Sequence, residues 1–157
     1  MARLLIVAVA GRLPAWAEAA CAEYLKRMPR GFEARRVAVK PEARSAGRPA
    51  ARLLAAEAKR ISAVLPAGAP RIALDERGSE LTTAQFAPRL RAWLSASASV
   101  AFVVGGADGL DAGFLRASTL RLRLSAFTLP HALAQVLLCE QLYRAASLLI
   151  GHPYHRA

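Results

Sequence analysis

Apolar residues fall into two alternating rhythms along this chain. Leu4 to Val9 is a nearly unbroken apolar run, the pattern of a strand covered on both faces. After a turn at Gly11 to Pro14, the residues Trp16, Ala17, Ala20, Cys21, Tyr24, Leu25 and Met28 recur at helical spacing, and Pro29 and Gly31 close that helix. Val37 and Val39, flanked by Arg36 and Lys40, predict a second, weaker strand. Leu53, Leu54, Ala58, Ile61 and Leu65 stripe a helix opened by Pro49. Arg71 to Asp75 predicts a short strand that turns at Glu76-Arg77-Gly78, and Thr82 or Thr83 is placed to cap a helix reaching Leu94, with Pro88 in its early part. Val100 to Val104 is the clearest strand. A short helix over Asp111 to Ser118 then leads to an alternating strand, Leu120 to Leu124, and to a long helix, Ala132 to Leu149. Strand and helix alternate throughout. The expected class is therefore α/β, a mainly parallel sheet flanked by helices, in a single domain spanning 1–157.

Ligands in such sheets sit at the carboxyl ends of the strands. Three ends are candidates here: Leu74-Asp75, Gly105-Gly106 and the stretch Leu124 to Leu129. The residue before a proline is kept out of the helical region, so Leu129 should be extended before Pro130 and His131 open the last helix. A buried connection of this kind must find partners for its backbone polar groups. A polar ligand reading N–H and C=O groups would supply them, and the small hydroxyls of Ser125 and Thr128 leave it room. Gly105 and Gly106 allow close backbone approach, and a Gly105→Trp change should fill such a site. GGADGL resembles a dinucleotide fingerprint only superficially. Its third glycine comes too early, its helix is short, and no Walker-type Lys-Ser/Thr follows, which sets aside hydride enzymes and P-loop NTPases. The last helix is apolar on both sides, with Leu133 and Leu137 lying near Glu140 and Arg144. One side should cover the sheet and the other a second copy, which predicts a homodimer, and Glu140 and Arg144 are spaced to pair.

Charge narrows the partner. The 157 residues carry 22 Lys and Arg against 11 Asp and Glu, a formal charge of +11, which points to a polyanion and first to nucleic acid. Arg44 and Arg48 stand in a stretch from Pro41 to Arg48 that reads as a flexible basic loop. Cys21 and Cys139 have no metal-type spacing and read as core thiols, so no metal is expected. The apolar run at the N-terminus is too short to cross a membrane, and a cytoplasmic protein without membrane contact is expected. The segment Gly151 to Ala157 holds two of the three histidines with Tyr154 and Arg156. Such groups stack on a base, bind phosphate and move a proton.

VVGGADGL followed by LRLSAFTLPHALAQVLLCEQLYRAASLLIGHPYHR resembles the small SPOUT-class methyltransferases that modify N3 of a pseudouridine in large-subunit ribosomal RNA. LLIVAVAGRLPAWAEAACAEYLKRMPR fits that family's first strand and helix, so the resemblance covers essentially the full length. LSAFTLPH and the YRA…HPYHR tail are its specific parts; Pro41 to Ala69 is the least diagnostic. The resemblance implies a C-terminal trefoil knot, a homodimer, and S-adenosylmethionine held in a bent form. Its contacts would be Leu74, Gly105 and the run Leu124, Ser125, Ala126, Phe127, Thr128 and Leu129. This chain departs from the family at Phe127, where Met or an aliphatic residue is common, and at Ala107-Asp108, where Pro-Glu often stands.

The implied reaction displaces a sulfonium methyl with a ring nitrogen that must also lose a proton. His155 is the candidate base, with Tyr154 stacking on or orienting the target base. Arg144 and Arg156 are candidates to hold phosphate or developing negative charge, and His152 with Arg156 to contact RNA. His131, beside the cofactor stretch, reads as structural, and in a dimer the tail can complete the partner's site. The chain has no separate RNA-binding domain, so the expected substrate is large-subunit ribosomal RNA presented by the assembled ribosome. The competing expectations are a non-catalytic RNA- or ribosome-binding factor, and a methyltransferase acting on another RNA.

Overall fold

A computed structural model of the chain describes residues 1–45 and 47–156, with the backbone alone at His155 and Arg156. Five strands, β1 (Ala2–Val9), β2 (Phe32–Val39), β3 (Arg71–Glu80), β4 (Ser99–Val104) and β5 (Leu120–Arg123), form one sheet in the order β2-β1-β4-β3-β5. Every pairing is parallel. The central strands are apolar at successive positions because both of their faces are covered. Leu4, Ile6 and Ala8 face one layer with Ile72, Val100 and Phe102. Leu5, Val7 and Val9 face the other with Ala73, Ala101 and Val103.

The helices are α1 (Ala15–Lys26), α2 (Ala50–Val64), α3 (Thr83–Ala96), α4 (Ala112–Ala117) and α5 (His131–Leu149). Cys21 of α1, Phe86 and Leu90 of α3 and Leu138, Cys139 and Leu142 of α5 pack on the first face; Ile61 of α2 and Phe114 of α4 pack on the second. The topology explains this division. The steps β1 to β2 and β3 to β4 run one way across the sheet and use the first face, while β2 to β3 and β4 to β5 run the other way and use the second. A common crossover hand requires that arrangement. Helix α5 then returns over the first face and packs against both α1 and α3. Cys21 and Cys139 are buried free thiols.

Two local expectations change. Glu76-Arg77-Gly78 does not end β3, which runs on to Glu80 through an irregularity in its pairing with β5 between Leu74 and Ser79. Gly78 marks close approach rather than a turn, because a Cβ there would lie 2.6 Å from the Arg121 carbonyl carbon. In the basic loop, Glu42, Arg44 and Arg48 are tied to other groups rather than merely solvated. Glu42 pairs with Arg48 and Arg60 and donates its backbone N–H to Glu57, while Arg44 pairs with Asp108 beyond β4. Thr82 is the N-cap of α3; its hydroxyl accepts from the Gln85 N–H while the Gln85 side chain accepts from the Thr82 N–H.

Candidate active site

The ends of β3, β4 and β5 converge on a cleft of about 890 Å³, within the size range of small-molecule sites. Leu74, Gly105 and all of Leu124 to Leu129 line it, so the three strand ends singled out in the sequence meet in one place. Neighbouring order in the sheet makes this possible: β3 lies between β4 and β5.

Local contacts hold the loops that line it. Beyond β4, the Gly109 N–H donates to the Gly106 carbonyl over 3.1 Å, and Gly109 takes a positive φ of 79° to close that turn. A Cβ on Gly105 would stand 2.5 Å from the Gly109 carbonyl oxygen. A tryptophan there would break this turn instead of simply filling the cleft. Beyond β5, Arg123 donates to the carbonyls of Ser125 and Ala126 at 3.0 and 3.1 Å, and the Ser125 hydroxyl accepts from the Phe127 N–H at 3.0 Å. The stretch is thus folded by its own arginine and serine. Phe127 is 84% exposed at the cleft, and Arg77 and Arg121 also line it. His131, at the first turn of α5, forms part of the wall. Burial lowers its pKa, outweighing the opposing effect of the Gly105 carbonyl.

The family described as "Predicted SPOUT methyltransferase" matches residues 2–155. The chain belongs to this family. Among its relatives are proteins named ribosomal RNA large subunit methyltransferase H. The one from Verminephrobacter eiseniae is 56% identical and that from Dechloromonas aromatica 51%, each over 154 residues; the Bordetella petrii protein is 48% identical over 155. Each alignment covers 98–99% of this chain and of the relative.

In this SPOUT chain a second polar cluster lies at the other end of α5. Glu140 Oε1 accepts from Arg144 Nε at 2.8 Å and from the Tyr154 hydroxyl at 3.1 Å. Its Oε2 accepts from Gln141, which in turn accepts from Thr83 on α3. Tyr154 packs 4.4 Å from Tyr143, centroid to centroid, with the Arg144 guanidinium 4.8 Å from its own ring. Burial and the Glu140 carboxylate push the Tyr154 phenol up to about 12. It is therefore protonated at neutral pH and is a hydrogen-bond donor, not a base. The Glu140–Arg144 pair expected from spacing is present.

The cofactor candidates and the catalytic candidates do not meet within one chain. Arg144 and Tyr154 are absent from the cleft wall, and Arg144 lies 13 residues beyond His131, or about 20 Å along the helix axis. His152 is exposed and accepts from the Tyr154 N–H at 3.2 Å. The side chains of His155 and Arg156 lie outside the described residues. Among the described residues no His, Cys, Asp and Glu group is arranged to hold a metal, and no helix is long and apolar enough to cross a membrane. Sequence reading missed Arg123 and Gln135, the latter a buried side chain hydrogen-bonded between Arg36 and His131. The first looked like the polar half of a strand alternation and the second like an ordinary polar position on a helix.

Proposed function

We propose that this protein transfers a methyl group from S-adenosylmethionine to N3 of a pseudouridine in large-subunit ribosomal RNA, acting in the cytoplasm as a homodimer on the assembled ribosome. The observation that carries the reading is the cleft at the joined ends of β3, β4 and β5, in a chain whose full-length relatives are named as ribosomal RNA methyltransferases. Its size and the small residues in its lining, Gly105, Gly106, Ser125 and Ala126 among them, fit a small ligand read in part through backbone groups. Leu74, Leu124 and Leu129 would enclose its apolar parts, and the backbone from Ser125 to Thr128 its polar ones. The trefoil knot of this reading would be formed where the chain leaves the edge strand β5 and returns as α5 between α1 and α3.

When bound, S-adenosylmethionine supplies an activated methyl group, so the protein's work is placement, exclusion of water and removal of one proton. The separation along α5 makes the dimer part of the mechanism. Leu133, Leu137, Glu140 and Arg144 share one stripe of α5 and are each only half-buried, and Trp16 on α1 is 57% exposed. Two copies related by a two-fold axis, with their α5 helices antiparallel, would bring the Arg144–Tyr154 end of one chain to the His131 end of the other. The target base would then meet Tyr154 as stacking partner and donor and Arg144 as the cation for developing negative charge, with His155 of the same tail as proton acceptor. The net charge of +11 would bind the RNA backbone and make association salt-dependent.

Calorimetric titration with S-adenosylmethionine tests the site, and transfer of a labelled methyl group to ribosomes, followed by mapping of the modified nucleotide, tests the reaction. Binding together with modification at a pseudouridine N3 is expected. A folded dimer that binds RNA but neither takes the cofactor nor transfers methyl would be a non-catalytic binding factor, and faster transfer to protein-free RNA than to ribosomes would defeat the ribosomal part.

A further inference from the structure

The polar cluster at the far end of α5 converges on Glu140, the only acidic residue of that helix. Its side chain is 13% exposed. A carboxylate so far removed from water keeps its charge when hydrogen bonds and a cation replace the solvent. Both are present. Oε1 takes Nε and the Nη2 nitrogen of Arg144, each at 2.8 Å, together with the Tyr154 hydroxyl at 3.1 Å. Oε2 takes the Gln141 amide at 2.6 Å.

The directions of these bonds follow from the carboxylate. An ionised carboxyl only accepts, so Gln141 must turn its Nε2 to Glu140. Its Oε1 is then left to Thr83 of α3, whose hydroxyl must donate, at 2.6 Å. With Oε2 committed to this arm, Oε1 is the oxygen left for Arg144 and Tyr154. Those two groups also touch each other, the guanidinium standing 4.8 Å from the ring centroid, and the ring packs on Tyr143. Tyr154 lies beyond α5, in the short turn Pro153–Arg156. Among the described residues, its hydroxyl makes the only side-chain hydrogen bond from this turn back to the helix.

We propose that Glu140 is a positioning residue for methyl transfer. Steadied by Gln141 and Thr83, it holds Arg144 and Tyr154 against each other as one preassembled unit, which the target base meets in a fixed relation. Without it the guanidinium and the ring would each regain rotamer freedom, and the cost of ordering them would fall on the transfer step. Glu140 is absent from the cleft wall and acts only through the groups it holds.

The inference rests on the methyl-transfer reading, and one of its two measurements needs neither cofactor nor RNA. Ultraviolet titration of the free protein, with Tyr154→Phe identifying the step, reads the Tyr154 phenol. Glu140→Gln keeps an acceptor oxygen and removes the charge, so the step should move down from about 12 toward the ordinary tyrosine value. The other titratable groups around this phenol, Arg144, Tyr24 and Tyr143, are unchanged in that variant. An unmoved step overturns the proposal, because the contact is then not made in solution.

The second measurement is steady-state methyl transfer to ribosomes, with S-adenosylhomocysteine affinity and thermal unfolding read on the same samples. Glu140→Leu should lower kcat about a hundredfold, the loss of two charge-assisted hydrogen bonds, with S-adenosylhomocysteine affinity within a few-fold of wild type. Glu140→Gln should retain roughly a tenth of wild-type kcat or more. Thr83→Val leaves the Thr82 cap intact and should lower kcat by up to about tenfold, and Thr83→Ser, which keeps the hydroxyl, should restore it. Wild-type kcat in the leucine or valine variant overturns the proposal. So do leucine and glutamine variants equally impaired, or a leucine variant whose S-adenosylhomocysteine affinity falls in step with kcat. If Glu140→Leu does not fold, the Thr83 pair and the phenol titration decide by the same criteria. Wild-type protein that transfers no methyl ends the methyl-transfer reading and the positioning role with it, whereas an active wild type with an unimpaired leucine variant ends the positioning role alone.

Discussion

Gly105 shows how little space separates this cleft from its own scaffold. A methyl group on its α-carbon points at the Gly109 carbonyl rather than into the cleft. Gly105→Ala should therefore force the turn open, costing about 1–3 kcal/mol of stability by overpacking and most of the cofactor affinity; chemical denaturation and calorimetry read the two effects. The substitution is informative because its alanine is too small to occupy the site itself. His131 gives a pH signature. Its folded pKa lies below the ordinary 6.5, and the charges nearest its hydrogen-bond chain are Arg36 and Glu18. Above the unfolded value both states are neutral and the group adds no pH dependence. As pH falls through about 6.5 the unfolded chain gains a proton that the folded chain resists, so stability declines and then levels off below the folded value. Denaturant titrations across this window should show that decline in wild type and a shallower one in His131→Asn. Tyr154 has the opposite sense. Its phenol should ionise only near pH 12, and the corresponding ultraviolet step should vanish in Tyr154→Phe. At this scale the sequence was readable where spacing alone brings partners together, as in the Glu140–Arg144 pair, and unreadable where chemistry is carried by direction. Nothing in the letters shows that Arg123 turns back onto the carbonyls of Ser125 and Ala126, or that the Gln135 amide has only one allowed orientation.

Among the elements, α3 depends most visibly on its first turn. Thr82 and Gln85 satisfy two N–H groups reciprocally, and Pro88 removes a donor from the same short helix. Thr82→Ala should cost about 1 kcal/mol, measurable by denaturant unfolding, without altering the cleft. This cap was legible as a threonine ahead of an apolar run, as were all five strands and five helices, because hydrophobic period follows directly from which faces are covered. The extension of β3 was not. Local preference places Gly78 in a turn, whereas tertiary contact uses its missing side chain to let β3 pass the backbone of β5. The pairing of Glu42 and Arg44 was hidden for a related reason: their partners Arg60 and Asp108 are distant in sequence.

For the whole molecule, the decisive prediction concerns two chains rather than one. If Arg144 and Tyr154 serve the cleft of the partner, Gly105→Ala and Arg144→Ala homodimers should each be nearly inactive, while mixed dimers regain activity at one of their two sites. Mixing and reassembly of the two variants, followed by methyl-transfer assay, should give up to about half of wild-type activity in the hybrid species. No recovery in proven heterodimers would place both groups on the same chain's reaction. Affinity for ribosomes should also fall steeply with added salt, as expected for a +11 protein releasing counterions from RNA. Sequence periodicity revealed that α5 has two apolar sides but not that α1 and α3 already take much of that surface, leaving a mixed stripe for any second copy.

The place of α5 has a consequence for how the chain is made. Its core residues Leu138, Cys139, Leu142 and Ala145 complete the layer between α1 and α3, yet they are synthesised after the entire sheet. During translation the trough they fill stays open, with Ala17, Cys21, Phe86 and Leu90 on its sides, until α5 leaves the exit tunnel. A chain stalled after Arg123 would hold all five strands of the sheet and still present a greasy, unroofed face, open to aggregation until α5 has followed.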